Sequence, residues 1–465
     1  MEITRSSRSA RIPACVARLA CVATLAVGLA AATAATAEVP KIERVVSPGG
    51  IEAWLMRYDD APLITMRLSF SGGTLQEPRE KYGMASMAAY MFNEGAGPYD
   101  AAELGRRRSR IGVNLSASSG NEYFEVSFST PSMYKDEAFE LLRLAIYEPR
   151  YDAEPMARAR GEYLANLESA LKSPGSIMGV ALRKRLYGND HPLAADAPTL
   201  MAGFKSVDPG DIAAFRRRVL ARDNLKISVA GDIDPAALAP LLDRLFGALP
   251  AKAELRPPPV PGGTVGSCEV ITMNVPQAQV MFAAVTPAMT WHQRRAERVL
   301  NAILNGEGRL FQEVRVKRGL VYGVNTSFSY HGNHDVGTFS IQSGAFGAEV
   351  KDVPEALRVT MAELRRMAAE GPTEEEVATV KRAFLGSNLL GLDTGAALVD
   401  TMSSSQIEKR PITFLKDDIP EIERITRQDV WDVAKLLLNP ERFTVTIIAP
   451  PTQANLCDAR ASKSE

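Results

Sequence analysis

The chain has 465 residues, of which 46% are hydrophobic and 23% are charged, and its formal net charge is −1. These values are typical of a globular protein and exclude a disordered or fibrous one. The length exceeds what a single hydrophobic core usually fills, so two or more domains are expected. No cluster of lysines and arginines favours nucleic-acid binding.

Residues 1–37 have the pattern of a secretory signal peptide. A segment with four arginines precedes an apolar run from Leu19 to about Ala32, and the small residues Ala35–Ala37 follow. The apolar run is shorter than the ~18–20 residues that span a bilayer, so we expect cleavage after Ala37 and not a membrane anchor. Cleavage would leave 50 basic and 54 acidic residues, a net charge of −4.

Two of the four cysteines, Cys268 and Cys457, would remain after cleavage. An exported protein meets an oxidising environment, in which the two can form a disulfide that ties the C-terminal tail to the second domain. Two free, buried thiols agree with the sequence equally well.

The first half begins with a strand and a turn, and then has the pattern of an amphipathic helix at 83–95. Its apolar residues recur at helical spacing, namely Met84, Met87, Ala88, Met91 and Phe92. A second helix and two strands joined at Gly120-Asn121 follow. Further helices are predicted at about 133–148, 153–172 and 175–187, and a closing strand begins at Leu225.

Residues 249–266 contain five prolines and three glycines, which predicts a stiff extended linker between domains at 38–248 and 267–465. The second domain repeats the first. The tripeptide Gly-Val-Asn occurs in both, at 112–114 and 323–325, and is followed in each by a predicted hairpin, here near Gly332-Asn333.

Helices at about 347–370 and 373–390, and a strand from Phe443, complete the repeat. The expected fold is therefore α+β, with two homologous α/β-sandwich domains that arose by duplication. Each domain is a largely antiparallel sheet with helices packed on it.

Three segments carry a resemblance to a known family. "SGGTLQEPREKYGMASMAAYMFNEGAG" resembles the N-terminal signature of the pitrilysin/insulinase family of zinc peptidases, the inverzincins. "LNGEGRLFQEVRVKRGLVYGV" resembles the matching C-terminal segment, and "YGNDHPL" at 187–193 resembles the segment after the third helical block. The resemblance covers nearly all of the chain after residue 37.

Catalysis in this family needs the motif H-x-x-E-H on one helix, because two His one turn apart grip one Zn²⁺ and the Glu activates water. The resemblance places Ser86 and Tyr90 at the two His positions and Ala89 at the position of the base. Asn166 falls at the third ligand position. Every essential position is substituted, which implies no catalytic zinc on this chain.

The remaining candidate ligands do not replace the motif. Glu162 and Glu168 lie near the third ligand position, but one carboxylate cannot hold a catalytic zinc alone. We expect His191 to be structural and His292 to lie at a helix start. His331 and His334, three residues apart in a predicted turn, are better explained by a solvated turn than by a metal site.

The second half keeps a different part of the active site. Family members carry there an Arg and a Tyr that hold the substrate backbone and stabilise the oxyanion, and these match Arg315 and Tyr322. A surface arginine and a strand-edge tyrosine are the alternative, but the surrounding motif favours the functional interpretation. Gly306 and Gly308 border the substrate chamber in the resemblance, although a plain turn explains a G-x-G equally well.

The sequence therefore resembles the non-zinc subunit of bacterial two-subunit peptidases of this family. That resemblance implies a periplasmic heterodimer in which a homologous partner carries H-x-x-E-H and the zinc, while this chain is inactive alone. A catalytically silent structural or peptide-binding homologue is the main alternative. A stand-alone peptidase with an unorthodox site is the third hypothesis.

Overall fold

The computed structural model describes residues 41–58, 61–257, 259–285, 287–328, 348–390, 394–452 and 455–457, without side chains at 387–390. The strands are β1 (Ile42–Val46), β2 (Glu52–Arg57), β3 (Leu63–Ser71), β4 (Gly95–Ala96), β5 (Tyr99–Asp100), β6 (Asn114–Ser119), β7 (Tyr123–Pro131), β8 (Leu225–Gly231), β9 (Cys268–Thr272), β10 (Gln279–Ala283) and β11 (Thr444–Ala449).

Fifteen α-helices lie in the described residues. They are α1 (Met84–Met91), α2 (Ala101–Arg110), α3 (Lys135–Tyr147), α4 (Ala153–Ala170), α5 (Pro174–Tyr187), α6 (Ala197–Ser206), α7 (Pro209–Val219), α8 (Pro235–Phe246), α9 (Trp291–Leu304), α10 (Arg309–Phe311), α11 (Val353–Glu370), α12 (Glu374–Leu390), α13 (Gly395–Ile407), α14 (Phe414–Arg424) and α15 (Arg427–Leu437). A π-helical turn, Gln312–Val316, directly follows α10.

The first half is built on a six-stranded sheet in the order β1-β2-β8-β3-β7-β6. All neighbouring pairs are antiparallel except β2 and β8. Buried and half-buried residues alternate along β7, so that Phe124, Val126 and Phe128 face the core on one side of the sheet. This alternation is what a strand with one buried face requires.

The second half has a smaller sheet in its described part, in the order β10-β11-β9. Strand β11 pairs antiparallel with β10 and parallel with β9, and all six of its residues are buried. The two halves thus share the α+β architecture expected from the sequence, although the described part of the second sheet is mixed.

The duplication is visible in matching helices. Helices α4 and α12 begin 221 residues apart, and α7 and α15 begin 218 residues apart. Both α7 and α15 start with a capping box, formed by Asp208 with Asp211 and by Thr426 with Asp429. Such reciprocal side-chain bonds satisfy the free N–H groups of a first helical turn and fix where the helix begins.

Each half contributes one helix that packs on the sheet of the other half. Helix α5 of the first half packs on β10 and β11, and α13 of the second half packs on β3 and β8. In the first exchange Leu182 and Leu186 contact Ala283, and in the second Met402 packs with Trp54 and Met56. Each half therefore covers the outer face of the other half's sheet.

Polar contacts also join α13 to the first sheet. Ser69 and Ser403 are hydrogen-bonded at 2.8 Å, and the Gln406 amide donates to the Ile227 carbonyl at 3.0 Å. Arg67 donates to Asp400 at the edge of the same contact. The two buried bonds and the exposed Arg67–Asp400 pair fix the position of α13 more specifically than apolar packing alone.

The predicted linker at 249–266 has no helix or strand in its described residues. It is held against the first half by hydrogen bonds. Gly262 N–H donates to the Tyr187 carbonyl at 3.0 Å, and the Gln76 side chain both donates to and accepts from the Arg256 backbone. At its end, Cys268 and Cys457 form a disulfide with a Cα–Cα distance of 6.0 Å. Of the two states left open by the sequence, the structure has the paired one.

One predicted element is not formed as expected. A strand was expected after Gly319 as the first arm of a hairpin, yet residues 319–328 have no assigned strand. The predicted turn, its second arm, His331 and His334 lie outside the described residues. A strand needs a bonded neighbour, and the described part of the chain provides none here.

Candidate functional site

Helix α1 is anchored at its N-terminus by a buried carboxylate. Glu77 accepts hydrogen bonds from the N–H groups of Gly83 at 3.0 Å and Ala85 at 2.5 Å. Burial raises the pKa of Glu77 to about 7, while the two N–H donors act in the opposite direction. The carboxylate thus satisfies N–H groups that the first turn of a helix leaves free.

Gly83 immediately precedes this helix and must be a glycine. Its φ of 110° lies in the left-handed region, and a Cβ there would meet the Phe204 ring at 2.7 Å. The apolar stripe predicted for α1 is confirmed, since its five residues are all nearly inaccessible to solvent, between 0% and 4%.

Ser86 and Tyr90 lie one turn apart on α1, on the face that remains half-buried. The Tyr90 hydroxyl donates to Glu162 of α4 at 3.0 Å. The hydroxyl of Tyr163, the next residue on α4, donates to the Ser86 carbonyl at 3.3 Å, and its ring meets that of Tyr90 edge-on at 6.2 Å.

An ion pair adds to this contact. Arg158 of α4 pairs with Glu94, just beyond α1, at 2.5 Å. Helices α1 and α4 are therefore joined by hydrogen bonds, an edge-on ring contact and an ion pair at the place where the resemblance puts a zinc ion.

The groups at the four motif positions do not fit a catalytic zinc. Zn²⁺ in proteins is bound by thiolate, imidazole and carboxylate ligands. Ser86, Tyr90 and Asn166 offer an alcohol, a phenol and an amide, and Ala89 offers no donor and no base. Among the residues that the structure describes, no group of three or more His, Cys, Asp and Glu could hold a metal ion.

Ser86 and Asn166 share the wall of a cavity of about 610 Å³. The sequence did not predict this cavity, because its wall combines α1, α4, α5, α6, β10 and several turns. His191 lies nearby, 8% exposed and stacked on Tyr187. Burial lowers its pKa, in line with the structural role expected for it.

Arg315 and Tyr322 lie side by side at the surface of the second half. The Arg315 guanidinium carbon is 5.2 Å from the centre of the Tyr322 ring, and Tyr322 is 69% exposed. Their neighbours Val314 and Val321 are buried in the core of this half. The backbone is therefore fixed from below, while the exposed Tyr322 and the half-buried Arg315, both hydrogen-bond donors, lie side by side above it.

The segment that carries Arg315 is held by ion pairs. Arg309 of α10 makes a bidentate pair with Glu376 of α12, at 2.5 and 2.6 Å, and lies 3.5 Å from the buried Glu363. Farther along, Glu313 pairs with Lys317 and with its neighbour at 318. Bidentate arginine pairs fix orientation as well as distance, so this part of the segment is well positioned.

Gly306 and Gly308 both have a structural reason to be glycine. Gly306 has a φ of 60°, and a Cβ on Gly308 would meet the Ile303 carbonyl oxygen at 2.2 Å. The pair closes the end of α9 and starts α10. A turn therefore accounts for both glycines, and their contact with substrate stays a prediction.

The remaining sequence-predicted ligand candidates lie apart from this region. His292 is the second residue of α9 and pairs with Asp429 at 3.0 Å.

No helix in the described part of the chain is long and apolar enough to cross a membrane.

The duplicated α+β fold, with the motif helix in place and Ser86, Ala89, Tyr90 and Asn166 at its motif positions, defines a peptidase-like protein. Two family models match it. "Insulinase (Peptidase family M16)" matches residues 55–193, and "Peptidase M16 inactive domain" matches residues 206–384. The two matches together span most of the chain, and the chain belongs to peptidase family M16.

Curated relatives match the sequence of this chain over most of their length. An uncharacterized zinc protease of Streptomyces coelicolor is 25% identical over 91% of both chains. A Helicobacter pylori protein named "Non-peptidase homolog YmxG" is 21% identical over 84% of this chain and 91% of its own. The family thus includes relatives named as zinc proteases and one named as a non-peptidase.

Solved structures confirm the fold. The peptidase M16 inactive domain from Pseudomonas fluorescens superposes with a TM-score of 0.79 at 23% identity, covering 89% of this chain and 98% of that one. A protease from Helicobacter pylori gives a TM-score of 0.76 at 17% identity, covering 88% and 100%. At these identities the likeness concerns the fold alone.

Proposed function

We propose that this chain is the non-zinc subunit of a heterodimeric periplasmic metallopeptidase. A homologous partner with H-x-x-E-H would supply the zinc that activates water, and this chain would supply Arg315 and Tyr322. The observation that carries the proposal is the exposed contact between these two side chains, in a chain whose own motif positions hold no zinc ligand.

The chemistry of the pair suits peptide hydrolysis. A guanidinium and a phenol are both hydrogen-bond donors, and a peptide carbonyl oxygen gains negative charge as its carbon is attacked. The contact places the Arg315 guanidinium 5.2 Å from the centre of the Tyr322 ring, and the Arg309–Glu376 pair holds the segment that carries Arg315. Prepositioned donors need little reorganisation during reaction, which favours the transition state.

The periplasmic location is part of the proposal and follows from the leader pattern at 1–37. The Cys268–Cys457 disulfide supports it, because disulfides persist in oxidising compartments.

The test is to mix the purified chain with an M16 homologue that carries H-x-x-E-H, and to measure hydrolysis of a fluorogenic peptide library by each chain and by the mixture. We expect no hydrolysis by this chain alone, and a rate in the mixture well above that of the homologue alone. An unchanged rate, with no complex on size-exclusion chromatography, would refute the heterodimer.

A catalytically silent, peptide-binding homologue is the second candidate. It is favoured by the largely apolar cavity beside Ser86 and Asn166, which needs no metal to bind a ligand. The relative named as a non-peptidase gives it a precedent within the family. This candidate predicts complex formation or peptide binding with no gain in hydrolysis.

A further inference from the structure

The cavity beside α1 has the size and composition of a small-ligand site. Its volume of about 610 Å³ lies within the range of roughly 300–1,000 Å³ that is typical of such sites. Most of its wall belongs to the first half, and Met281 of β10 closes one side. The apolar part of the wall includes Tyr82, Tyr163, Leu167, Leu182, Phe204 and Met281.

Two aromatic side chains give this wall a flat, rigid surface. The rings of Tyr163 and Phe204 are stacked, with their centres 4.6 Å apart and their planes 21° from parallel. The Tyr163 hydroxyl is bonded to the Ser86 carbonyl, so this ring is held in place. Ser86 occupies the position of the first zinc-binding histidine in the resemblance. Because serine is smaller than histidine, it leaves room on this side of the cavity.

Arg183 of α5 brings a positive charge to the same wall. Its Nε donates to the Leu193 carbonyl at 2.7 Å, which fixes the plane of the guanidinium. Within the described part of the chain, no carboxylate pairs with Arg183, and neither of its Nη groups has a bonded partner. Burial lowers its pKa, as expected for a cation in a largely apolar place.

The acidic group on this wall does not neutralise Arg183. Glu77 is 5% exposed, and its two oxygens already accept the N–H groups at the start of α1. The cavity therefore offers a cationic fork, apolar surface and the polar groups of Ser86 and Asn166, but no free anion. Binding of a neutral apolar ligand would leave the guanidinium desolvated without a partner, which costs free energy.

We propose that this cavity binds a carboxylate carried on an aromatic or aliphatic body, with the carboxylate on the Arg183 fork and the apolar body against Tyr163 and Phe204. The C-terminal residue of a peptide has this chemistry, and so does a free aryl- or alkyl-carboxylic acid. Arginine matches carboxylates in a planar two-bond geometry, which gives the site a clear preference for an acid over its amide. The site needs no zinc and no second chain.

The proposal is tested by isothermal titration calorimetry on the full chain without any zinc subunit. The probes are N-acetyl-Ala-Phe, its C-terminal amide and 3-phenylpropanoate. We expect N-acetyl-Ala-Phe to bind about tenfold or more tightly than its amide, because the charged pair is lost in the amide. If 3-phenylpropanoate binds as tightly as the dipeptide, a free acid is the source, and if it binds more weakly, the peptide terminus is.

Two variants separate the charge from the fold. Arg183→Gln keeps an N–H donor for the Leu193 carbonyl but removes the charge, so the preference for the acid should vanish. Gly179→Ala places a Cβ 3.1 Å from Arg183 Nη1 within a helix that tolerates alanine, so acid binding should weaken while the melting temperature does not fall. Arg185→Gln, on the same helix but 3.1 Å from Glu269, is the control and should bind the acid normally.

Equal binding of acid and amide, no heat from either at millimolar concentration, or an unchanged acid preference in Arg183→Gln would overturn the proposal. If Arg183→Gln does not fold, two results still test the proposal. They are the comparison of acid with amide on the unaltered chain, and acid binding by Gly179→Ala. None of these results depends on Arg315 or Tyr322, so a failure here is distinct from a failure of the peptidase proposal.

Discussion

The hydroxyl of Tyr90 donates a 3.0 Å hydrogen bond to Glu162, and this bond joins α1 to α4. Tyr90 occupies the position at which the resemblance implies the second zinc-binding histidine. A hydrogen bond from a phenol to a carboxylate thus lies where the resemblance puts a metal between the same two helices. The side chains at these positions join the helices without the need for a metal.

Tyr90→Phe should therefore lower the free energy of unfolding by about 1 kcal/mol, the usual net value of one hydrogen bond. Urea unfolding followed by circular dichroism measures the change. Tyr99→Phe is the matched control, since no hydrogen bond of its hydroxyl is present in the described part of the structure. Equal stability of the two variants would show that the Tyr90 bond contributes nothing.

Zinc binding should return when the ligands are restored. The unaltered chain should retain far less than one zinc ion after dialysis, because alcohol, phenol and amide groups are weak ligands. The triple variant Ser86→His/Tyr90→His/Asn166→Glu should bind about one zinc ion, measured by inductively coupled plasma mass spectrometry.

The control for this prediction is Ser86→Ala/Tyr90→His/Asn166→Glu, which lacks one imidazole and should bind zinc much more weakly. Stoichiometric zinc in the unaltered chain, lost in Ser86→Ala/Tyr90→Phe, would contradict the assignment of these positions as empty of metal ligands.

Stability should depend on pH through Glu77. Its pKa is raised from 4.5 to about 7 in the folded chain, so the folded state holds the proton more tightly than the unfolded state does. The stabilisation from this group is fully present below about pH 4.5 and is lost as the pH rises through about 7.

The magnitude can reach about 3 kcal/mol, because each pKa unit corresponds to about 1.4 kcal/mol. Glu77→Gln does not titrate in this window. Between pH 4.5 and 7, the unaltered chain should therefore lose stability relative to Glu77→Gln. Chemical unfolding of both chains at several pH values measures this difference in unfolding free energy. A difference that is flat over this window would contradict a raised pKa.

The Cys268–Cys457 disulfide closes a loop across a sequence separation of 189 residues. Reduction should lower the unfolding free energy by about 2–5 kcal/mol, since a long closed loop restricts the unfolded chain strongly. Unfolding with and without a phosphine reductant measures this, and Cys268→Ser/Cys457→Ser should not respond to the reductant. Non-reducing peptide mapping that finds the two cysteines unlinked would refute the pairing.

Much of the fold could be predicted from local signals. The apolar spacing in α1 indicates a helix directly, and the helices predicted at about 153–172 and 175–187 are α4 and α5 in the structure. The resemblance added the order of the elements and the pairing of the two halves. The helix signals are local, because each lies within a short stretch of sequence. A single sequence is therefore enough to predict them.

The rest depends on contacts between distant segments. An amphipathic pattern gives α5 and α13 an apolar face, but it does not tell which sheet each helix covers, so their exchange could not be predicted. The cavity was missed for the same reason, because Ser86, Arg183 and Met281 are far apart in the chain. Cysteine spacing alone left the disulfide undecided.

The most direct measurement of the central claim is the rate of peptide hydrolysis by the assembled heterodimer with Arg315→Ala/Tyr322→Phe. Complex formation should persist, and kcat/KM should fall by about 100-fold or more, the usual loss when donors to a developing oxyanion are removed. Lys351→Ala, which removes an exposed cation elsewhere in the same half, should leave the rate unchanged. An Arg315→Ala/Tyr322→Phe complex as fast as the unaltered one would contradict the account.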